Sequence, residues 1–156
     1  MNVAARKIAI APLPDAAALA ALHALCFERP WSAESFNTLL TLPGVRALGG
    51  MLDGTPAGFI LVRQAVDELE ILTICVRKEA RRQGAARALF QAALFDVPNI
   101  QNVFIEVDVI NIEALRFYED LGFCITGRRK DYYQHNDGTK SDALTMGYAM
   151  DSSTQR

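Results

Sequence analysis

Apolar residues recur along the chain with two alternating periods, and the switches between them lay out its elements. From Asp15 to Phe27, Leu19, Leu22 and Leu25 fall three apart among alanines, the spacing of one helical face. "RPWSAESFNTLL" predicts a second, shorter helix with Ser32 at its N-cap and Trp31 and Phe36 as a hydrophobic staple, ending before Pro43-Gly44. "VRALGGML", "PAGFILVRQA" and "DELEILTICVRK" read as three successive strands, and "LDGT" supplies an Asp-Gly hairpin turn between the first two. From Gln83 to about Phe95 the helical period returns, with Ala86, Leu89, Phe90, Ala93 and Leu94 on one face.

"NVFIEVDVI" alternates strictly: Val103, Ile105, Val107 and Val109 point one way, and Phe104, Glu106 and Asp108 the other. In "NIEALRFYEDLGF" Asn111 caps a helix that Gly122-Phe123 closes with a Schellman-type stop. "FCITGRRKDYY" and "DALTMGYAM" are strands flanking the turn-rich "QHNDGTKS". Two helices, three strands, a helix, a strand, a helix and two strands make an α/β (α+β) chain with a mixed sheet and helices on its faces.

Composition narrows the picture without redirecting it. With 156 residues, about half of them apolar, one core suffices and residues 1–156 are expected to form a single domain. A net charge of −2 gives no general argument for nucleic-acid or membrane partners. The opening "MNVAARKIAIAPLP" is broken by Pro12 and Pro14 and is too short for a signal-peptide core or a membrane span. Cys26, Cys75 and Cys124 are odd in number, form no CxxC pair and sit among apolar neighbours; all three are expected in the core of a cytoplasmic, reduced protein. His23 and His135 lack second ligands at metal spacing, so no metal site is expected, and His135 is placed at the surface.

The stretch "RRQGAAR", Arg81 to Arg87, combines two arginines and a glycine where a strand gives way to a helix. Unpaired backbone N–H groups and the positive end of the helix dipole converge at such a point, which suits an anionic oxygen cluster such as a pyrophosphate. Gly84 lets backbone approach a ligand, Ala85 and Ala86 keep side chains out of its way, and Arg81, Arg82 and Arg87 add charge. The stretch is neither a Walker loop nor a GxGxxG fingerprint. A solvated helix start stands beside the phosphate reading.

Arg81-Arg82-Gln83-Gly84-Ala85-Ala86, after a strand ending in "LTICV", resembles the acetyl-CoA loop of the GNAT N-acetyltransferases. "IEVDVINIEALRFYEDLGF" is similar to a later strand and helix of that family. "GRRKDYYQHNDGTKSDALTMGYAM" and "RPWSAESF" resemble its RimI-type branch, the ribosomal-protein alanine N-acetyltransferases. Four blocks in order cover most of the chain. Ala86 stands where that branch's loop has a further glycine, and "FDVPNIQN" makes a shorter crossing than usual there.

The resemblance implies a GNAT fold, with a mostly antiparallel mixed sheet that has helices on both faces and a V-shaped splay between two central strands. It implies acetyl-CoA as cofactor, its pyrophosphate on the Arg81–Arg87 loop that includes Gln83, its pantetheine along Leu72 to Val76, past Ile74, and Asn111 as a further contact to the cofactor. A main-chain N–H near Val76 then polarises the thioester carbonyl. It further implies Glu106 as base, Tyr118 as acid and cofactor contact, and Trp31, Tyr132 and Tyr133 on the acceptor side. The residues alone leave the plainer readings open: Glu106 as a solvated strand residue, Tyr118 as a core aromatic, Asn111 as an N-cap, and Tyr132-Tyr133 as paired hairpin aromatics.

The implied acceptor is a protein N-terminus, such as the alanine of a small-subunit ribosomal protein, met by a monomer or weak dimer. Glu68, Glu70 and Asp108 are candidates to attract its positive charge. A small amine or lysine acceptor, and a non-catalytic acyl-CoA-binding module, are the competing readings.

Overall fold

The computed structural model describes residues 7–150. The elements run β1 (Ile8–Pro12), α1 (Ala16–Ala24), α2 (Ala33–Leu40), β2 (Val45–Leu52), β3 (Thr55–Ala65), β4 (Glu68–Val76), a 3-10 turn (Lys78–Ala80), α3 (Ala85–Phe95), β5 (Asn102–Asp108), α4 (Ile112–Leu121), β6 (Cys124–Gln134) and β7 (Lys140–Ala149). The strands hydrogen bond in the order β1-β2-β3-β4-β5-β7-β6. β1 with β2, β5 with β7 and β6 with β7 are antiparallel, and β4 with β5 is parallel. That parallel ladder runs from Glu68↔Asn102 to Ile71↔Ile105, whereas β4 continues to Val76 and β5, still paired with β7, to Asp108. The parallel ladder thus ends while both strands go on.

The expected elements are all present, and the departures have local causes. β1 was not anticipated: it is a short edge strand ending on Pro12, a place where proline's missing N–H does no harm. α1 stops at Ala24, which leaves Leu25 65% exposed instead of on the buried face. α3 begins at Ala85 because Gly84 takes the left-handed conformation (φ 82°), and the buried stripe becomes Ala85, Leu89, Phe90 and Ala93, with Ala86 and Leu94 at its margins. β7 starts at Lys140, inside the expected loop. Cys124 is exposed, since it opens β6, an edge strand with few buried positions; Cys26 is half-buried and only Cys75 is buried.

The chain divides into two compact units, residues 1–62 with 73–97, and residues 63–72 with 98–156, so β3 and β4 each contribute to both. In the first unit β2 and β3 are covered on both faces. Ala47 to Gly50 are consecutively buried in β2, and neighbouring strand residues face opposite ways, so both sides of this strand meet protein. Space at Gly49 is closed by the Leu13 side chain, and a Cβ on Gly50 would touch Leu89 of α3. Gly58 permits a close approach, since a Cβ there would lie 2.2 Å from the Cys75 carbonyl oxygen. Asp15 and Ser32 cap α1 and α2 through their side chains, and the Trp31 and Phe36 rings of the staple lie 5.6 Å apart.

His23 is the polar centre of this unit's core. It is 2% exposed, with ring contacts to Phe27, Trp31, Phe36 and Phe59. The Trp31 N–H donates to Nδ1 at 3.0 Å, so Nε2 carries the proton and donates to Thr73 Oγ1 at 3.2 Å. Burial lowers its pKa to about 4.

The second unit is covered on one face. Along β5 buried and half-buried residues alternate, with Val103, Ile105 and Val107 inward, and Leu69 and Ile71 follow suit on β4. α4 is capped by Asn111 Oδ1, which accepts from the Ala114 N–H at 3.1 Å, and ends at Gly122 (φ 104°) with Phe123 N–H donating to the Tyr118 carbonyl at 2.9 Å. Among the described residues no helix is long and apolar enough to cross a membrane.

Candidate active site

The candidate residues fall into two groups, one in each unit. In the first, β4 passes through Ile74 and Val76 into the 3-10 turn and the loop Arg81–Gly84. Arg82 (φ 62°) and Gly84 (φ 82°) are both left-handed, so the backbone turns sharply just ahead of α3. α1, α2 and α4 each have a side-chain cap, but α3 starts at Gly84 with none. Its first intrahelical bond, Ala88 N–H to Gly84 O at 3.0 Å, leaves the N–H groups of Ala85, Ala86 and Arg87 as helix-start donors. Among the described residues, its chain neighbours aside, nothing lies within 4 Å of where a Gly84 Cβ would sit. An uncapped helix start with space in front of it fits a pyrophosphate.

The side chains of this loop divide their work. Arg81 Nε donates to the Val76 carbonyl at 2.9 Å and braces the end of β4, Gln83 Nε2 reaches the Glu79 carbonyl at 3.3 Å, and Arg82 and Arg87 are exposed. Trp31, also in this unit, is 37% exposed beside His23.

In the second unit, the uncovered sheet face carries a cleft of about 320 Å³ lined by Arg63, Glu68, Glu70, Phe104, Glu106 and Thr145, among others. Strand parity put Glu106 on the polar side; the pairings Glu70↔Phe104 and Glu106↔Thr145 gather it with the acidic residues of β4. Glu106 Oε1 accepts from Arg129 Nε at 3.0 Å, and the Tyr133 hydroxyl donates to the Glu106 carbonyl at 3.4 Å. Tyr132 stands edge-on to Tyr133 with ring centroids 5.0 Å apart, and the Arg129 guanidinium lies 5.5 Å over its ring. The charge of Glu106 raises the Tyr132 pKa, and burial raises that of Tyr133 to about 12.

Tyr118 meets the plainer of its sequence readings. Its ring is a core aromatic, 2% exposed and edge-on to Phe117 and Phe123. Its hydroxyl is buried with no hydrogen-bond partner among the described residues, and burial pushes its pKa up. A phenol so placed holds its proton at any physiological pH and offers it to whatever acceptor reaches it. That orphaned donor fits the leaving thiolate of a thioester.

Asp108 is not on the cleft with Glu68 and Glu70. Its Oδ1 accepts from Ser141 Oγ at 2.6 Å and from the Ile110 N–H at 3.1 Å, and its Oδ2 lies 3.4 Å from His135 Nε2. His135 Nε2 also meets Ser141 Oγ at 2.7 Å, and its side chain is 15% exposed, so it is a partly buried network residue, unlike the surface position expected. Together with Ser141 and Asp108 it tethers the β6–β7 hairpin to the end of β5. Sequence reasoning missed Arg63 and Arg129; Arg129 stood in the quoted "GRRKDYY" block, but its pairing with Glu106 needs the β5-β7-β6 order. Among the described residues no group of three His, Cys, Asp or Glu could hold a metal.

The chain can be set beside known proteins on this geometry. The profile of the "Acetyltransferase (GNAT) family" matches residues 16–123. The ribosomal protein bS18-alanine N-acetyltransferase of Escherichia coli is 31% identical over 121 residues, covering 75% of this chain and 79% of that protein. The "N-alpha-acetyltransferase RimI" of Mycobacterium tuberculosis is 33% identical over 138 residues, 85% of each chain. The crystal structure of the ribosomal-protein-S18-alanine N-acetyltransferase from Escherichia coli superposes with a TM-score of 0.83 at 26% identity, over 92% of this chain and 94% of that one. A family match over more than half its length, with relatives above 30% identity, shows that the chain belongs to the GNAT acetyltransferases, enzymes that take their acetyl group from acetyl-CoA.

Proposed function

We propose that this enzyme acetylates the α-amino group of a protein N-terminus, the N-terminal alanine of a small-subunit ribosomal protein being the leading candidate. The observation that carries the reading is the uncovered sheet face of the second unit, where Glu106 shares one cleft with Glu68 and Glu70. Three carboxylates, Glu68, Glu70 and Glu106, against Arg63 and the Glu106-bound Arg129 leave net negative charge, which favours a positively charged acceptor, and an N-terminal amine is one. The names borne by the relatives support the same class of acceptor. Residues 1–156 acting as one acetyltransferase domain is part of this proposal.

The roles follow from the chemistry of each group. When bound, acetyl-CoA supplies an acetyl thioester whose carbonyl carbon accepts the amine. The N–H groups of Ala85, Ala86 and Arg87 hold the pyrophosphate, with Arg81, Arg82, Gln83 and Gly84 around it, β4 from Ile74 to Val76 holds the pantetheine arm, and Asn111 is a cofactor contact by its match to the family. Glu106, oriented by Arg129, takes the proton from the attacking ammonium, directly or through one water. An α-amino group with a pKa near 8 asks less of that base than a lysine near 10.4. Tyr118 gives its phenolic proton to the departing sulfur. Trp31, Tyr132 and Tyr133 shape the acceptor side.

The test is incubation of the purified protein with acetyl-CoA and peptides copying ribosomal N-termini, following free thiol release and peptide mass. Acetylation confined to an unblocked alanine terminus supports the proposal. Equal turnover of a blocked peptide carrying lysine, or turnover of small amines alone, replaces it with the corresponding acceptor.

A further inference from the structure

β6 is not a regular strand beside Glu106. Between the pairs Arg129↔Ala143 and Tyr133↔Ser141 it takes four steps where β7 takes two, so the segment from Lys130 to Tyr132 bulges opposite one β7 residue, Asp142. Asp131, at the middle of the bulge, is left-handed (φ 52°), a conformation that aspartate tolerates better than most residues. A bulge leaves backbone donors without their ladder partners. Asp142 takes one of them: its Oδ1 accepts from the Asp131 N–H at 2.8 Å, while its Oδ2 is paired with Arg128 Nε. The Asp142 main chain is fixed from the other side, where its carbonyl accepts from the Val109 N–H at 2.9 Å just past the end of β5.

The bulge changes which side chains share a face. In a regular strand residues three apart point to opposite faces. Here Arg129 and Tyr132 stand together, the guanidinium 5.5 Å over the ring, and the same Arg129 donates from Nε to Glu106 Oε1 at 3.0 Å. Tyr133 packs edge-on to Tyr132 and donates its hydroxyl to the Glu106 carbonyl at 3.4 Å. All three side chains therefore converge around Glu106, which strict alternation, dividing Tyr132 from Arg129 and Tyr133, would not allow. Re-aiming a side chain is what a bulge does.

We propose that Asp142 is a positioning residue for the acceptor side: by holding the Asp131 N–H it sets the bulge that turns Tyr132 onto Arg129 beside Glu106. The inference rests on the reading of the Glu106 cleft as the acceptor site. Asp142 acts through the backbone of β6, and the tether of His135, Ser141 and Asp108 holds the hairpin independently of its carboxylate. Losing that carboxylate frees the bulge and leaves the hairpin in place.

The first readout needs no acceptor. The charge of Glu106 raises the Tyr132 pKa above its ordinary value of about 10, so NMR titration of ring-labelled tyrosine, with Tyr132→Phe to assign the signal, reports whether the phenol stays beside that charge. Asp142→Ala is expected to bring this pKa back towards the ordinary value, and Asp142→Asn, which keeps Oδ1 as an acceptor, to leave it raised. Asp131→Pro, which removes the N–H and excludes a positive φ, should repeat the alanine result from the other side of the contact. The second readout is steady-state kinetics with acetyl-CoA and the alanine-terminated peptide. Asp142→Ala should lower kcat/KM for the peptide about tenfold with the KM for acetyl-CoA within twofold, and should add nothing in a Tyr132→Ala background. A Tyr132 pKa unmoved by both Asp142→Ala and Asp131→Pro overturns the positioning role. A pKa that moves while kcat/KM for the peptide holds, with Glu106→Gln still slow, overturns the link to the acceptor; a Glu106→Gln as fast as the parent overturns the reading of the cleft instead.

Discussion

The two units use the same sheet in opposite ways. In the first, β2 and β3 are buried through runs of consecutive residues, Ala47 to Gly50 and Ala57 to Val62, and the candidate groups are main-chain donors at the start of α3. In the second, β4 and β5 bury every other residue, and the remaining positions supply the side chains of the cleft. A strand walled on both faces has no side chains to spare, so a ligand there is met by backbone where a helix begins. A strand walled on one face carries a row of outward side chains two residues apart, which can hold charge of one sign. Backbone donors suit a ligand of fixed chemistry such as a pyrophosphate, and side chains suit an acceptor that differs between enzymes.

The largest expected effect separates the units by acid. His23 is buried neutral with its pKa lowered from 6.5 to about 4, so the unfolded chain binds the proton more readily. Stability is therefore full above pH 6.5 and falls as pH drops towards 4, by about 3 kcal/mol. Trp31 is the chain's one tryptophan and stacks on His23, so urea unfolding followed by its fluorescence at pH 7 and pH 4.5 reads this loss; equal midpoints would show that His23 is not the sensor.

The next two predictions sharpen the assignment of chemistry to the second unit. Glu106→Gln should lower kcat about 100-fold, in the range of a lost general base, with KM for acetyl-CoA within twofold. Tyr118→Phe should lower kcat about tenfold to thirtyfold with coenzyme binding retained. Steady-state kinetics with both substrates varied checks each, and a rise in the KM for acetyl-CoA at constant kcat would move either residue from chemistry to cofactor binding. The smallest effect tests the first unit: Gly84→Val forces a β-branched residue to φ 82° at a cost of about 1–2 kcal/mol. It should raise the KM for acetyl-CoA about tenfold and leave kcat at saturation unchanged.

Most of the fold was legible because its signals are local. Ser32, Asn111 and Gly122 marked helix ends within a few residues, and the parity of "NVFIEVDVI" divided β5 correctly between a buried and an open face. Gly84 was equally local. What sequence could not reveal depends on which strands are neighbours. Glu68 and Glu70 share a cleft with Glu106 only because β4 and β5 pair in parallel, and Asp108, two residues from Glu106 and of the same parity, is drawn off by Ser141 and His135 across β7. β1 was missed because five residues ending in proline carry too short an alternation to register.

The buried hydroxyl of Tyr118 sets folding against the proposed chemistry. A donor shut away from water with no acceptor costs about 1–3 kcal/mol, and phenylalanine would keep the ring and its edge-on contacts without that cost. Tyr118→Phe is therefore expected to melt a few degrees higher than the parent while turning over more slowly. Judged by durability alone, position 118 would be better served by phenylalanine; under the proposed mechanism the tyrosine is a hydroxyl retained for use at the expense of the resting protein.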